Sequence, residues 1–552
     1  MKKIANLLLL LLLLAGSSLF AQDKPIKNVI LMIPDGASLS VVSAARWYQR
    51  YNHPEISQLN MDPYLCGTIL TYSSNAPIGD SAPTTSCYMT GYPSRAGFVA
   101  TYPPADPGND ILPMDPDRAY QPLITFMEAA RLVRGKSTGL VFTCEFPHAT
   151  PADCAAHSYD RDNYSWIAPQ MVHNGVDVVI GGGVKILTPP LKEYLEKEGC
   201  RVFLNDIENY RAYSGAKMWA LFKDKDMSYD IDRDPSKEPS LAEMTQKAIQ
   251  LLSKNKNGFV LMVEGSKVDW AAHANDAATL ITELIAFDKA CGVAFDFAKE
   301  NEETVVVVVP DHGNSGFSIG SKKCAKYSQL TKDELFGSIS RIKVSADNLV
   351  EKLKNTNAFR LKEAVMELTG ISLTDNEFTE LMLCSDYDRS FLSEGERMQG
   401  SKLIKVVSKI LDDHTCFGFT TAGHTGEEVF LANYDPRSNG FIGHHTNVEL
   451  NHYLRQTLDL DTRLESLTNE YFVKHYEVFA NYAYTIVNRN NVPVLEVKSK
   501  KMKLEITPNT NIVKVNNQDH KLNSVIVYVD KNNTFYLPRF LSNWLNSGKI
   551  FP

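Results

Sequence analysis

The sequence predicts an α/β fold: a mostly parallel central sheet flanked by helices on both faces, with a largely helical insertion and a small C-terminal β-containing domain. Three observations carry this. Short apolar, β-branched runs recur along the chain, helical patterns lie between them, and the texture changes twice, near Gly320 and after Leu460. The runs are 27–33 (KNVILMI), 138–143 (TGLVFT), 176–180 (VDVVI), 258–263 (GFVLMV) and 304–309 (TVVVVV). Each is too short for a helix and apolar throughout, as a strand buried on both faces must be. Strands alternating with helices pack as a parallel sheet, and the sites of such sheets lie beyond the carboxyl ends of the strands. Ser38, just after the first run, is placed to cap a helix. Thr331-x-x-Glu334, Thr374-x-x-Glu377 and Ser393-x-x-Glu396 read as capping boxes and mark the insertion, about 320–415, as helical. Beyond it come a helical linker and strand-like segments separated by Asn-rich turns, a C-terminal domain over about 470–552.

Composition narrows the class. The 552 residues are 44% apolar and 22% charged with a formal charge of −8, which excludes a disordered or fibrous chain and gives no basic block for nucleic acid. Lys2 and Lys3, the apolar run 7–15 and Leu19-Phe20-Ala21 have the three parts of a secretory signal. A leader over 1–21 and export to the periplasm or exterior are therefore expected. No stretch has the ~20 apolar residues of a membrane span. The nine cysteines show no C-x-x-C spacing, so neither a zinc ribbon nor a redox motif is indicated.

Chemistry-bearing residues fall where those strands end. Glu264 closes the fourth run; Asp269 and His273 follow four apart, a spacing that puts both on one helix face. The valine run ends in Pro310-Asp311-His312-Gly313, and the first run delivers Asp35. His424 sits among small residues in Gly423-His424-Thr425-Gly426. One Glu, three Asp and three His suit zinc with a harder, oxygen-ligated ion beside it. Asp80-Ser81-Ala82 opens what reads as a helix, where free N–H groups favour a phosphate and a developing alkoxide. Taken alone, that stretch is equally a helix cap, and Asp269 with His273 a surface pair.

Together these motifs resemble the alkaline phosphatases, over about 27–317 and 420–460. The resemblance implies a catalytic domain over 22–465, hydrolysis of phosphate monoesters and a phosphoserine formed on Ser81. It implies two zinc ions, one on Asp269, His273 and His424 and one on Asp35, Asp311 and His312. It implies a magnesium ion on Asp35, Glu264 and Thr150. Arg161, eleven residues after Thr150, would hold two phosphate oxygens with its planar fork. His148 and Trp270 stand where other branches have Asp and Lys, and would meet the substrate; a histidine there implies weaker magnesium binding. The family is commonly homodimeric, an expectation that the insertion puts under strain. Around 513–516 and Tyr536-Leu537-Pro538-Arg539-Phe540 the C-terminal domain resembles the copper-amine-oxidase N-terminal type.

Two relatives and one unrelated class compete. A sulfatase needs arginine where Thr85 stands, and a nucleotide phosphodiesterase lacks the Glu264, Thr150 and Arg161 set. A non-catalytic metal-binding surface protein has no use for Ser81 or Arg161. His157, His444 and His445 read more simply, the first as a packing or hydrogen-bonding residue and the pair as a surface turn.

Overall fold

The computed structural model describes residues 25–324, 327–384, 402–437 and 440–550. The expected leader and the Ser393-x-x-Glu396 signal lie outside these residues. Eight strands come first: β1 (Asn28–Ile33), β2 (Leu65–Leu70), β3 (Ser137–Glu145), β4 (Val178–Gly182), β5 (Arg201–Leu204), β6 (Met218–Leu221), β7 (Phe259–Glu264) and β8 (Thr304–Val308). Short β9 (Gly313–Asn314) and β10 (Ser318–Ile319) leave the sheet. β11 (Phe417–Gly418) pairs back onto β10 and β12 (His424–Thr425) onto β9. β13 (Val429–Tyr434) and β14 (Gly443–Thr446) then rejoin the sheet.

The ten-stranded sheet has the order β14-β2-β13-β8-β1-β7-β3-β4-β6-β5. Only β13 runs against its neighbours, β2 and β8. Every residue of β1, β7 and β8 is buried. β1 shows why: Ile30 and Met32 enter the core on one face, Val29, Leu31 and Ile33 the core on the other. Each such side chain contributes about 1.5–3 kcal/mol relative to exposure. On the first face lie α1 (Leu39–Asn52) and the long helix Ala277–Asn301, on the second the helix Ser81–Thr90.

Four expectations change in detail. Ser38 stands at the α1 N-cap but does not bond the helix; its hydroxyl donates to Glu427 Oε1 at 2.6 Å, so it ties the helix start to a distant loop. Thr331 and Glu334 do bond reciprocally, yet the turn they open winds as a π-helix over Asp333–Gly337. His444 and His445 lie on the edge strand β14 rather than in a turn: His444 Nδ1 meets Thr68 Oγ1 at 3.1 Å, and the His445 ring stacks on Phe441. His424 occupies a two-residue strand rather than a free loop. The Thr374–Glu377 capping box forms as read, and His157 bonds Glu128 in the core.

The insertion carries helices Ala346–Lys354, Leu361–Thr369, Asp375–Met382 and Leu403–Asp413. Its neck is closed twice, by the β10–β11 pair and by a Cys324–Cys416 disulfide whose Cα atoms are 5.5 Å apart. Cys66, Cys87, Cys144, Cys154, Cys200 and Cys291 are free thiols, all buried except half-buried Cys66.

The C-terminal segment forms a three-stranded sheet of β15 (Val473–Lys474), β21 (Val527–Val529) and β22 (Thr534–Leu537), and a five-stranded antiparallel meander. The meander is β16 (Ala483–Arg489), β17 (Val492–Lys498), β18 (Lys503–Ile506), β19 (Ile512–Val515) and β20 (Gln518–Lys521). Leu495, Val497, Leu504, Phe535 and Trp544 share a core of its own. Its hairpins turn on Asn490-Asn491 and Asn516-Asn517, all with φ between 49° and 70°, which asparagine tolerates better than most residues.

Glu283, on Ala277–Asn301, accepts the Asp230 N–H in the core, and burial pushes its carboxyl up to about 8 from the usual 4.5. Between these values the unfolded chain ionises the group while the folded chain keeps the proton. Stability attributable to Glu283 therefore falls as pH rises through that window, by roughly 1.4 kcal/mol per pH unit. Glu283→Gln keeps the acceptor and removes the slope. Denaturant titrations near pH 5 and pH 8 should show the variant gaining several kcal/mol on the wild type at the higher pH. An unchanged difference would reject the assignment.

Candidate active site

The carboxyl ends of β8, β1, β7 and β3 lie side by side, and most of the expected site residues leave from them. β1 runs through Pro34 to Asp35. β7 ends on Glu264, paired in register with Ile33, and leads into the helix Lys267–His273. β8 delivers Asp311 and His312, and β3 turns into Ala149–Ala152, which carries Thr150 behind its N-cap His148. Gly36 makes the close approach possible. It sits at φ +64°, and a Cβ there would lie 2.5 Å from Asp269 Oδ1. Its N–H donates to Asp311 Oδ1 at 3.1 Å.

Ser81 is the first residue of a wholly buried helix, and its Oγ lies 3.3 Å from His312 Nε2. His312 Nε2 is in turn 3.4 Å from Asp35 Oδ1 and 3.5 Å from Asp311 Oδ2. Asp269 holds His273 Nε2 at 3.3 Å and His424 Nε2 at 3.7 Å, and the His424 ring stacks on His312. Pairing of β12 with β9 is what brings His424 across the insertion to this point.

The three imidazoles are oriented alike. Nδ1 of His273 donates to Ala422 O (2.7 Å), that of His424 to Gly79 O (2.9 Å) and that of His312 to Gly313 O (3.1 Å). A carbonyl can only accept, so each Nδ1 carries hydrogen and each Nε2 faces the cluster. There Nε2 meets either a proton or a cation. The Asp269 hydrogen bond raises His273 to about 9. Burial, then the charge of Asp311, holds Asp35 well above the carboxylate range, and burial takes Glu264 up to about 8.

Arg161 approaches from another loop. Its guanidinium pairs with Asp80 and donates to His148 Nε2 at 3.1 Å. Burial and the neighbouring Arg161 take His148 down to about 3, so the imidazole is neutral and accepts. Gly97 closes the circuit, donating to Asp80 Oδ2 (3.0 Å) and accepting the Arg161 N–H (2.8 Å). Trp270 stands edge-on to His148, ring centres 5.9 Å apart, with the Lys267 amine 4.5 Å from its own.

Comparison with known proteins decides the family. The alkaline phosphatase family model matches residues 26–460. The chain belongs to the alkaline phosphatase family. It is 31% identical over 443 residues to alkaline phosphatase 3 of Bacillus subtilis, covering 78% of this chain and 88% of that one. Against the human tissue-nonspecific isozyme it is 30% identical, over 52% of this chain and 63% of that one. Among solved structures, a cold-active alkaline phosphatase from a psychrophilic Shewanella superposes with TM-score 0.66 at 29% identity, over 78% of this chain and 99% of that one. The Thermus thermophilus alkaline phosphatase shares the fold, with TM-score 0.67 at 24% identity, over 79% and 92% of the two chains. The chain is thus a phosphatase hydrolase of a metal-dependent family.

The alkaline phosphatase cage fits cations. Both Asp35 oxygens, Asp311 Oδ2, Glu264 Oε1 and Thr150 Oγ1 are buried without a hydrogen-bond partner among the described residues. Orphaned carboxylate oxygens of this kind cost several kcal/mol unless a cation compensates them. Ligand atoms of Asp35, Asp311 and His312 fall within 4.8 Å of one another, as do those of Asp269, His312 and His424. A third group joins Glu264 and His148 to Cys144, which the sequence reading did not single out. Burial pushes the Cys144 thiol far up, so it is a neutral donor to Glu264 rather than a thiolate ligand. His148 touches Arg161 rather than open space. Two further residues were given no role from the sequence: Asp80, which pairs with Arg161, and Asn314, whose amide donates to Asp269 Oδ1 at 2.6 Å. Both adjoin motifs, before Ser81 and after Gly313, and adjacency was their only signal.

Among the described residues no helix is long and apolar enough to cross a membrane.

Proposed function

We propose that this chain hydrolyses phosphate monoesters to alcohol and inorganic phosphate through a phosphoserine on Ser81. The observation that carries this is the Ser81 hydroxyl lying 3.3 Å from His312 Nε2, against a cage of orphaned carboxylate oxygens and inward-facing imidazoles. Asp269, His273 and His424 would hold one zinc, Asp35, Asp311 and His312 a second, and Asp35, Glu264 and Thr150 a magnesium. Bound there, such cations supply Lewis acidity at the attacking and leaving oxygens of an in-line displacement.

The rest belongs to the chain. Ser81 Oγ forms the bond to phosphorus as the ester P–O bond breaks, and water then displaces the serine, returning the hydroxyl and releasing phosphate. Helix N–H groups beside Ser81 face the anion. Arg161, steered by Asp80 and neutral His148, presents its fork to two phosphate oxygens. Trp270 flanks His148; with the anion held by Arg161 and the helix N–H groups, recognition rests on the phosphoryl group and substrate range is broad. The Cys324–Cys416 bond supports the reading that the chain works in an oxidising compartment after export.

Release of p-nitrophenol from its phosphate, sulfate and bis-phosphate esters tests the reading. The monophosphate should be favoured by at least about 100-fold in kcat/KM, a difference of about 2.7 kcal/mol. Chelation should abolish turnover, and elemental analysis should give about two zinc and one magnesium per chain. Equal or better turnover of the sulfate or diester, or full activity without metal, sinks it.

A further inference from the structure

The family match ends at residue 460, yet the segment beyond it touches the loop that carries Arg161. Asp530, in the turn between β21 and β22, accepts a hydrogen bond from the Tyr159 hydroxyl. Tyr159 lies two residues before Arg161, and the Lys531 amine stands 5.6 Å from the centre of its ring. We propose that the C-terminal domain braces the phosphate-holding loop: Asp530 fixes Tyr159, and Tyr159 in turn sets the position of the Arg161 guanidinium. This rests on the reading of Arg161 given above.

The linkage runs through named contacts. On the catalytic side the loop is tied by its main chain. Ser158 and Val99 exchange both backbone hydrogen bonds (2.7 and 3.0 Å), and the Arg161 N–H reaches Gly97 O. The Tyr159 ring fills an aromatic nest, its centre 6.2 Å from Phe98, 5.7 Å from Tyr120 and 5.8 Å from Trp166. Phe98 follows Gly97, the residue that bonds both Asp80 and Arg161. A tilt of the Tyr159 ring is therefore passed through Phe98 to the pair that orients the guanidinium. Main-chain bonds fix where the loop runs but not that tilt; the hydroxyl does, and Asp530 holds the hydroxyl from outside the catalytic fold. Tyr159 and Asp530 are positioning residues that reach the substrate only through Arg161.

The test uses the full-length, metal-loaded enzyme. In Asp530→Ala and in Tyr159→Phe, KM for p-nitrophenyl phosphate and the inhibition constant of inorganic phosphate should rise together by about threefold to tenfold. The expected kcat stays within about twofold. Because Asp530 is exposed, the thermal midpoint should move by less than about 2 °C, so folding is not in question. Asp530→Asn, whose amide oxygen still accepts, should restore the wild-type constants, and the double variant should be no weaker than either single one. Arg161→Ala runs alongside. Unchanged phosphate affinity there overturns the reading beneath the brace, and the brace with it. If Arg161→Ala weakens phosphate while Asp530→Ala and Tyr159→Phe keep wild-type constants, or if the double variant is additive, the brace alone is overturned.

Discussion

Ser81→Ala should lower kcat for p-nitrophenyl phosphate by at least about 10⁴-fold while leaving the protein folded and able to bind phosphate. The asymmetry follows from where Ser81 sits. It opens the helix Ser81–Thr90, where alanine is fully compatible with helical backbone, and the change removes a single oxygen from a buried position. That oxygen is the atom placed against His312, so the proposed nucleophile goes while Arg161 and the helix N–H groups stay. Acid-quenched enzyme incubated with labelled phosphate should carry label on the wild type and none on the variant. Residual turnover above roughly a tenth of wild type would show that Ser81 is not the attacking group.

The second large effect is expected from His312→Ala. His312 is shared by two of the three groups of converging ligand atoms, and its Nε2 lies 3.3 Å from Ser81 Oγ. Losing one imidazole there should cut metal content by about one ion per chain and kcat by about 10³-fold, some 4 kcal/mol of barrier. Asn314→Ala provides the graded control. Its amide only orients Asp269, so its loss should weaken metal binding by about 10–100-fold and leave turnover intact at saturating metal. Elemental analysis with kcat at saturating zinc separates the two. Wild-type metal content and rate in His312→Ala would remove the cage from the mechanism.

The sheet was legible because its central strands are buried on both faces. β1, β7 and β8 are continuous apolar runs, and β3 and β4 carry such runs at their centres. The flanking strands were not. β2 is half-buried and carries Gly67, over which Gly443 passes so closely that a Cβ would lie 2.0 Å from its carbonyl oxygen; that requirement is visible only once β14 is in place. β13 is antiparallel, and β5 has only four residues. The candidate ligands Asp35, Glu264, Asp269, His273, Asp311 and His312 were legible because each lies just past a readable strand or on a four-residue helical spacing. His424 was found by motif alone; what holds it, two residues paired with β9, depends on a contact across the whole insertion. Ser38 failed as a cap for the same reason, since its partner Glu427 is 389 positions away.

The Cys324–Cys416 bond has a consequence for how this enzyme can vary. It brings the two ends of a 92-residue excursion to 5.5 Å between Cα atoms, a separation a tight reverse turn could span. The register of β12 on β9 is thereby uncoupled from whatever the excursion contains. Length and outer surface above that staple can vary, as a graft onto a fixed rootstock, without resetting the distance at which His424 meets Asp269, so long as the inner face with Phe336, Ile339 and Leu349 keeps its place against the sheet's core.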